Sequence, residues 1–124
     1  MVTARARFLA KKFEEKYGVI GKVAGRYIAA GLSVEFVHPT RYGPIHLVAR
    51  GCGGKLFAIE IVDKLEKLTL DTIKTLAEKA KLVRAKPVLV LYFSNIRLSD
   101  ELYKFCVENG VKIRVIRPSE ETVV

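Results

Sequence analysis

The stretch of sequence that decides the fold is 43–62, which reads GPIHLVAR-GCGG-KLFAIEIV. Both flanks are apolar enough to form strands, and the glycines between them permit the positive φ angles that a short hairpin needs. We therefore predict strands at 45–50 and 55–62, joined by a tight hairpin at 51–54. Side chains alternate between the two faces of a strand, so this hairpin should place His46 and Glu60 side by side on one sheet surface.

The elements around this hairpin follow from apolar spacing. Helices are predicted over 2–17, 19–30, from about 69 and from 99 to 109, and further strands over 33–37, 87–93 and 111–116. Residues 38–44 form a turn-rich loop. The run Val88–Leu91 is apolar at every position, which is typical of a central strand buried on both faces. The order of elements predicts an α/β fold with a mixed sheet of about five strands flanked by helices.

Length and composition indicate one domain, 1–124, because the chain has 124 residues and half of them are hydrophobic. The absence of Gln and the many Lys, Arg and Glu residues favour a thermophilic source. Cys52 and Cys106 lie far apart, without the spacing of a zinc site or a disulfide framework. No signal or membrane segment is evident, so we expect a cytoplasmic protein and no membrane partner.

The charge of the chain points toward a polyanionic partner. The net charge is +9 and the isoelectric point is about 9.7, and basic residues gain affinity for nucleic acid by releasing counterions. The segment 1–17 is predicted to be a basic amphipathic helix, with Arg5, Lys12 and Lys16 away from its apolar stripe. A merely solvated basic face is the alternative.

The hairpin and the elements after it resemble the core of the archaeal Holliday junction resolvases. These enzymes belong to the PD-(D/E)XK nucleases, which share the restriction-endonuclease-like fold. In the resolvases a strand of pattern G-x-x-D-L-V-A precedes a hairpin and a strand of pattern I-E-V-K. The similarity covers roughly 18–93. It places His46 at the Asp position, Glu60 at the acid position and Val62 at the Lys position.

This resemblance implies a phosphodiesterase centre that has lost most of its catalytic residues. In the motif, carboxylates hold Mg²⁺ and the lysine orients a water toward the phosphate. Glu60 and His46 are therefore the candidate catalytic and metal-binding residues, and the cofactor is either none or Mg²⁺ or Mn²⁺ if the site is active. Lys22 or Lys64 could replace the missing lysine. Alternatively, Glu60 forms an ion pair with a Lys or Arg, and His46 is satisfied by hydrogen bonds.

The preferred hypothesis is a catalytically degenerate nuclease-fold protein that binds branched or double-stranded DNA as a homodimer. The loop 38–44 approaches DNA in the resolvases that the chain resembles. The predicted nucleic-acid contacts are Arg5, Lys12, Lys16, Lys22, Arg26, His38, Arg41, Tyr42 and Lys64. The alternatives are an active structure-selective endonuclease with a rearranged site and a non-enzymatic scaffold subunit, and RNA stays open as the ligand.

Overall fold

A computed structural model describes residues 12, 15–93 and 97–116 of the chain. Lys12 and residues 15–17 are helical, as the amphipathic pattern predicts. The rest of the predicted helix 2–17, including Arg5, lies outside the described residues. No helix in the described part of the chain is both long and apolar enough to cross a membrane.

The described residues form a five-stranded mixed sheet with helices on both faces, which confirms the predicted α/β fold. The helices are α1 (Val19–Ala29), α2 (Leu70–Val83) and α3 (Asp100–Glu108), and the strands are β1 (Ser33–His38), β2 (Ile45–Arg50), β3 (Leu56–Val62), β4 (Lys86–Leu91) and β5 (Lys112–Val115). The strands lie in sequence order across the sheet. The pairs β1–β2 and β2–β3 are antiparallel, whereas β3–β4 and β4–β5 are parallel.

Local sequence signals explain the turns and the helix starts. Gly53 and Gly54 have φ angles of +74° and +76°, which allow the chain to turn between β2 and β3. The side chain of Thr69 accepts a hydrogen bond from the Thr72 N–H at 3.2 Å and begins α2. Ser99 caps α3 in the same way through the Leu102 N–H, as its position before an acidic first turn predicts.

Two apolar clusters lie on opposite faces of the sheet. Ile59 and Ile61 of β3 belong to the cluster under α1, whereas Ala58 and Val62 belong to the cluster under α2 and α3. Strand β4 contributes to both clusters, which confirms that it is buried on both faces. Since side chains alternate along β3, Glu60 lies on the α2 face.

The pairing of β1 and β2 is interrupted beside His46. Phe36 pairs with Leu47 and His38 with Ile45, but the register skips Val37 and His46 between them. Val37 has a φ of +50°, which is a rare conformation for a β-branched residue. The pairing with Ile45 also extends β1 to His38, so our prediction that the loop begins at residue 38 was wrong by one residue.

Candidate functional site

The predicted neighbours His46 and Glu60 meet on the α2 face of the sheet. The Nδ1 atom of His46 lies 3.2 Å from Oε2 of Glu60. The side chain of His46 is about one-third exposed, whereas Glu60 is buried. Both residues lie where β2 and β3 separate, because the backbone pairing of these strands ends at Leu47 and Ile59.

The His46 imidazole occupies the gap that this separation leaves. Its Nδ1 atom accepts a hydrogen bond of 3.0 Å from the backbone N–H of Ile61. An Nδ1 atom that accepts a hydrogen bond carries no proton, so this bond belongs to a neutral imidazole with its proton on Nε2. Only a ring protonated at Nδ1 could donate to Glu60 instead. The two contacts of Nδ1 therefore require different positions of the ring proton and do not form at the same time.

The other oxygen of Glu60 faces a lysine that the sequence reasoning missed. Nζ of Lys79, from α2, lies 3.4 Å from Oε1 of Glu60 and donates to the backbone oxygen of Pro44 at 2.9 Å. Glu60 and Lys79 are the buried charged residues of the described chain, with 9% and 7% of their surfaces exposed. Burying either charge alone would be costly, so the pair compensates itself.

Neither Lys22 nor Lys64, the predicted replacements for the lysine missing at position 62, is the cation beside Glu60. Lys22 lies on α1, which packs against the opposite face of the sheet from Glu60. Lys64 is exposed, just after the end of β3. The ammonium group beside Glu60 comes instead from Lys79. The available signal was weak: Lys79 is a cation three residues after Leu76, at the edge of the apolar stripe of α2.

A cleft of about 380 Å³ opens beside His46 and Glu60, next to the start of α2. Its lining residues are His46, Glu60, Ile61, Val62, Glu66, Lys67, Thr69 and Thr72. Lys67 donates to Asp63 at 3.0 Å, and this bond holds the pKa of the Asp63 carboxyl below its usual value. The cleft thus contains mixed charges and hydroxyl groups.

The residues present do not fit the divalent metal ion that the resemblance implies. Mg²⁺ prefers several carboxylate or carbonyl oxygens, but within residues 12, 15–93 and 97–116 no three His, Cys, Asp or Glu side chains are grouped to hold a metal. Glu60 is already neutralised by Lys79, and a cation bound to Oε1 would meet that ammonium group. Val62, at the motif's lysine position, is buried and apolar.

The predicted nucleic-acid contacts lie in several parts of the molecule. Lys16 lies over the ring of Tyr17, which stacks on Phe36 with 4.2 Å between ring centroids. In the β1–β2 loop, Arg41 lies over the ring of the exposed Tyr42. The exposed remainder of the set is Lys12, Arg26 and Lys64. Their role in nucleic-acid binding stays a prediction.

His38 has a local partner, because the distortion at Val37 turns its side chain. Residues three apart in a regular strand point to opposite faces. Here Nδ1 of His38 nevertheless lies 3.0 Å from Oε2 of Glu35. The positive φ of Val37 interrupts the alternation of side chains, so His38 and Glu35 point to the same side. The predicted role of His38 in nucleic-acid binding stays a prediction.

Comparisons with known proteins identify the fold. No protein-family model and no curated protein matches the chain. A repair endonuclease from Pyrococcus abyssi has a similar structure, with a TM-score of 0.60, 17% sequence identity and coverage of 75% of this chain. The chain shares its fold with this endonuclease over the matched part. EndoMS in a complex with double-stranded DNA is also similar, with a TM-score of 0.53, 15% identity and coverage of 68% of this chain.

These similarities establish the fold and nothing finer. The chain spans 42% of the length of the P. abyssi endonuclease and 35% of that of EndoMS. Function has to be argued from the residues at the site, because one fold serves many functions.

Proposed function

We propose that this protein binds branched or double-stranded DNA through its nuclease fold and does not cleave it. The observation that carries the proposal is the ion pair between Glu60 and Lys79, at the position where the similar resolvase motif uses carboxylates to hold a metal ion. Glu60 retains the carboxylate of the motif, but the ammonium group of Lys79 lies where a metal ion would be expected. The fold's geometry persists while the chemistry of its centre changes.

The loss of cleavage follows from what phosphodiester hydrolysis requires. A nuclease of this kind must orient a water and stabilise charge that develops on the phosphate. Val62 can do neither, and Lys79 is directed to Glu60 and to the carbonyl oxygen of Pro44. The Nδ1 atom of His46 accepts a hydrogen bond from the Ile61 N–H, so this atom has a structural partner within the sheet.

DNA binding is supported by charge and by the structural neighbours. The chain carries a net charge of +9, and the predicted contacts include exposed cations on α1 and in the β1–β2 loop. One neighbour is EndoMS in a complex with double-stranded DNA and the other is a repair endonuclease. Phosphate contacts by Lys and Arg give affinity without sequence preference, which suits recognition by shape. We extend the proposal to a homodimer, because two-fold symmetry would place two basic faces across one junction.

A second candidate is an endonuclease with a rearranged site. The observation that favours it is the Lys79 ammonium group beside Glu60, next to the imidazole of His46 and an open cleft. In this alternative, Lys79 on α2 takes the role of the lysine that the motif places on β3 at position 62.

The experiment uses a labelled four-way junction and a duplex of equal length. Fluorescence anisotropy over a series of salt concentrations should show binding that weakens steeply as salt rises, and sedimentation of the same samples gives the oligomeric state. Incubation with Mg²⁺ or Mn²⁺ should leave both DNAs intact. Cutting that is abolished in a folded Glu60→Gln variant would replace the proposal with the second candidate. Failure to bind either DNA at low salt would overturn both and favour a scaffold role.

A further inference from the structure

A second cleft, of about 250 Å³, lies on the opposite face of the sheet from Glu60. It is lined by Arg26, Tyr27, Ala30, Arg114 and Ile116. It opens between the C-terminal end of α1 and the end of β5. Tyr27 and Ile116 belong to the apolar cluster under α1, so the floor of this cleft is part of the core. The cleft is therefore separate from the site already described.

The charged side chains that line this cleft are both arginines. Arg26 lies in the last turn of α1. Arg114 lies on β5 opposite Val90, and its guanidinium carbon is 5.8 Å from the centre of the Tyr27 ring. Among residues 12, 15–93 and 97–116, no carboxylate lines this cleft. Two guanidinium groups that line one small space make its electrostatic potential positive, which favours an anion there.

The hydroxyl group of Tyr27 provides an independent observation. Tyr27 is 9% exposed, and its buried oxygen makes no hydrogen bond of normal geometry within the described part of the chain. The Arg114 guanidinium is close enough to lower the pKa of this hydroxyl, but burial outweighs it and the pKa is raised overall. Tyr27 is thus a neutral O–H donor at physiological pH. A buried donor without an acceptor is destabilising, and in native proteins it usually has a water or a ligand as its partner.

We propose that this cleft binds a phosphate group, with Arg26 and Arg114 as charged donors and the Tyr27 hydroxyl as the donor at its base. Guanidinium groups match the geometry of phosphate oxygens and stay charged at every physiological pH. A space of about 250 Å³ admits one such group with its hydration. The phosphate is either a backbone phosphodiester of bound DNA or a free phosphate, and only the first source depends on the proposed function.

Inorganic phosphate is the probe that tests the site itself. Titration followed by calorimetry should show saturable binding to the full chain. Arg114→Gln and Arg26→Gln should each weaken it by about tenfold, the scale of one charge-assisted hydrogen bond. Lys104→Gln removes the same charge from a side chain of α3 that is 78% exposed, and it should leave phosphate binding unchanged. Equal effects of all three variants, or no saturable binding to the wild type, would overturn the proposal.

Tyr27→Phe separates a binding role from a structural role. The change keeps the ring that packs in the core and under Arg114, and it removes the unpaired hydroxyl. The melting temperature of the free protein should stay the same or rise by a few degrees, whereas its phosphate affinity should fall severalfold. A purely structural tyrosine would leave phosphate affinity unchanged, and that result would also overturn the proposal.

The DNA arm identifies the source of the phosphate. If the cleft holds a DNA phosphodiester, Arg114→Gln should weaken duplex binding about tenfold more than Lys104→Gln does and should lower the salt dependence by about one phosphate contact. If the wild type binds no DNA but loses phosphate binding in the arginine variants, the proposed function fails and the phosphate site stands with free phosphate as its ligand.

Discussion

The backbone N–H of Ile61 donates to Nδ1 of His46, at 3.0 Å, just beyond the last backbone pair of β2 and β3. The side chain of His46 thereby accepts a hydrogen bond from β3 at a point where the backbone of β2 is no longer paired with that strand. Because Ile61 is only 6% exposed, its N–H would otherwise be buried without an acceptor. The histidine at the motif's aspartate position thus has a structural role that can be tested apart from any chemistry.

Replacing His46 should show that this role depends on an acceptor at the Nδ1 position. His46→Ala leaves the Ile61 N–H unpaired, and we expect a loss of about 1–2 kcal/mol in the free energy of unfolding. His46→Asn can offer its side-chain oxygen near the same place and should cost less. Urea unfolding measures stability, and hydrogen exchange at the Ile61 amide should accelerate in the alanine variant alone. Unchanged exchange at that amide would contradict the assigned bond.

The Lys79–Glu60 pair should be costly to break from one side. Lys79→Met leaves a buried carboxylate without its cation, and we expect a loss of about 3 kcal/mol. Glu60→Leu combined with Lys79→Met should recover most of that loss, because no charge is then stranded. The exposed pair Lys81–Glu78, at 3.6 Å, provides the control. Lys81→Met should change stability by less than about 0.5 kcal/mol. Similar losses for Lys79→Met and Lys81→Met would show that the buried pair is not a special feature.

The sequence predicted the parts of this molecule that depend on local pattern. The glycine hairpin, the Ser99 cap and the apolar run Val88–Leu91 of β4 are set by residues close together in the chain, and the structure confirms them. The side-by-side placement of His46 and Glu60 also follows from alternation along two paired strands.

Lys79, Val37 and the second cleft could not be predicted, because each depends on packing between distant segments. Lys79 meets Glu60 only once α2 packs on β3, and its position at the edge of the apolar stripe of α2 does not by itself indicate which group it contacts. Valine favours regular strand geometry, so the positive φ of Val37 opposes its own propensity. The approach of Arg114 to Tyr27 requires β5, near the end of the chain, to lie close to α1.

The strain at Val37 predicts a stabilising substitution. Asn tolerates a positive φ better than a β-branched residue does, and Val37 is 45% exposed, so little apolar burial is lost. We expect Val37→Asn to raise the free energy of unfolding by about 0.5–1 kcal/mol. Val115 is similarly exposed, at 49%, and its φ is not positive. Val115→Asn should therefore give no gain in urea unfolding. If Val37→Asn changed the free energy of unfolding no more favourably than Val115→Asn, the strain argument would be refuted.

Divalent metal ions should leave the stability of the protein unchanged. A ligand present at a hundred times its dissociation constant stabilises by about 2.7 kcal/mol, enough to raise the melting temperature by several degrees. Because the donors around Glu60 do not fit such an ion, we expect shifts within about 1 °C on adding Mg²⁺, Mn²⁺ or EDTA. Differential scanning fluorimetry measures this. A rise with Mn²⁺ that disappears in Glu60→Gln would instead place a metal at this carboxylate.

Tyr27 should make the protein lose stability at alkaline pH. Burial raises the pKa of its hydroxyl in the folded state above the ordinary value of about 10. As the pH rises past that value, the unfolded chain loses this proton first, and the free energy of unfolding falls until the folded pKa is passed. Tyr27→Phe removes this contribution, so its stability should decline less than that of the wild type between about pH 9 and 11. Tyr103→Phe, which removes a hydroxyl from a tyrosine that is 58% exposed, is the control. Urea unfolding at several pH values measures all three proteins, and a Tyr27→Phe profile parallel to that of the wild type would rule out a burial-raised pKa.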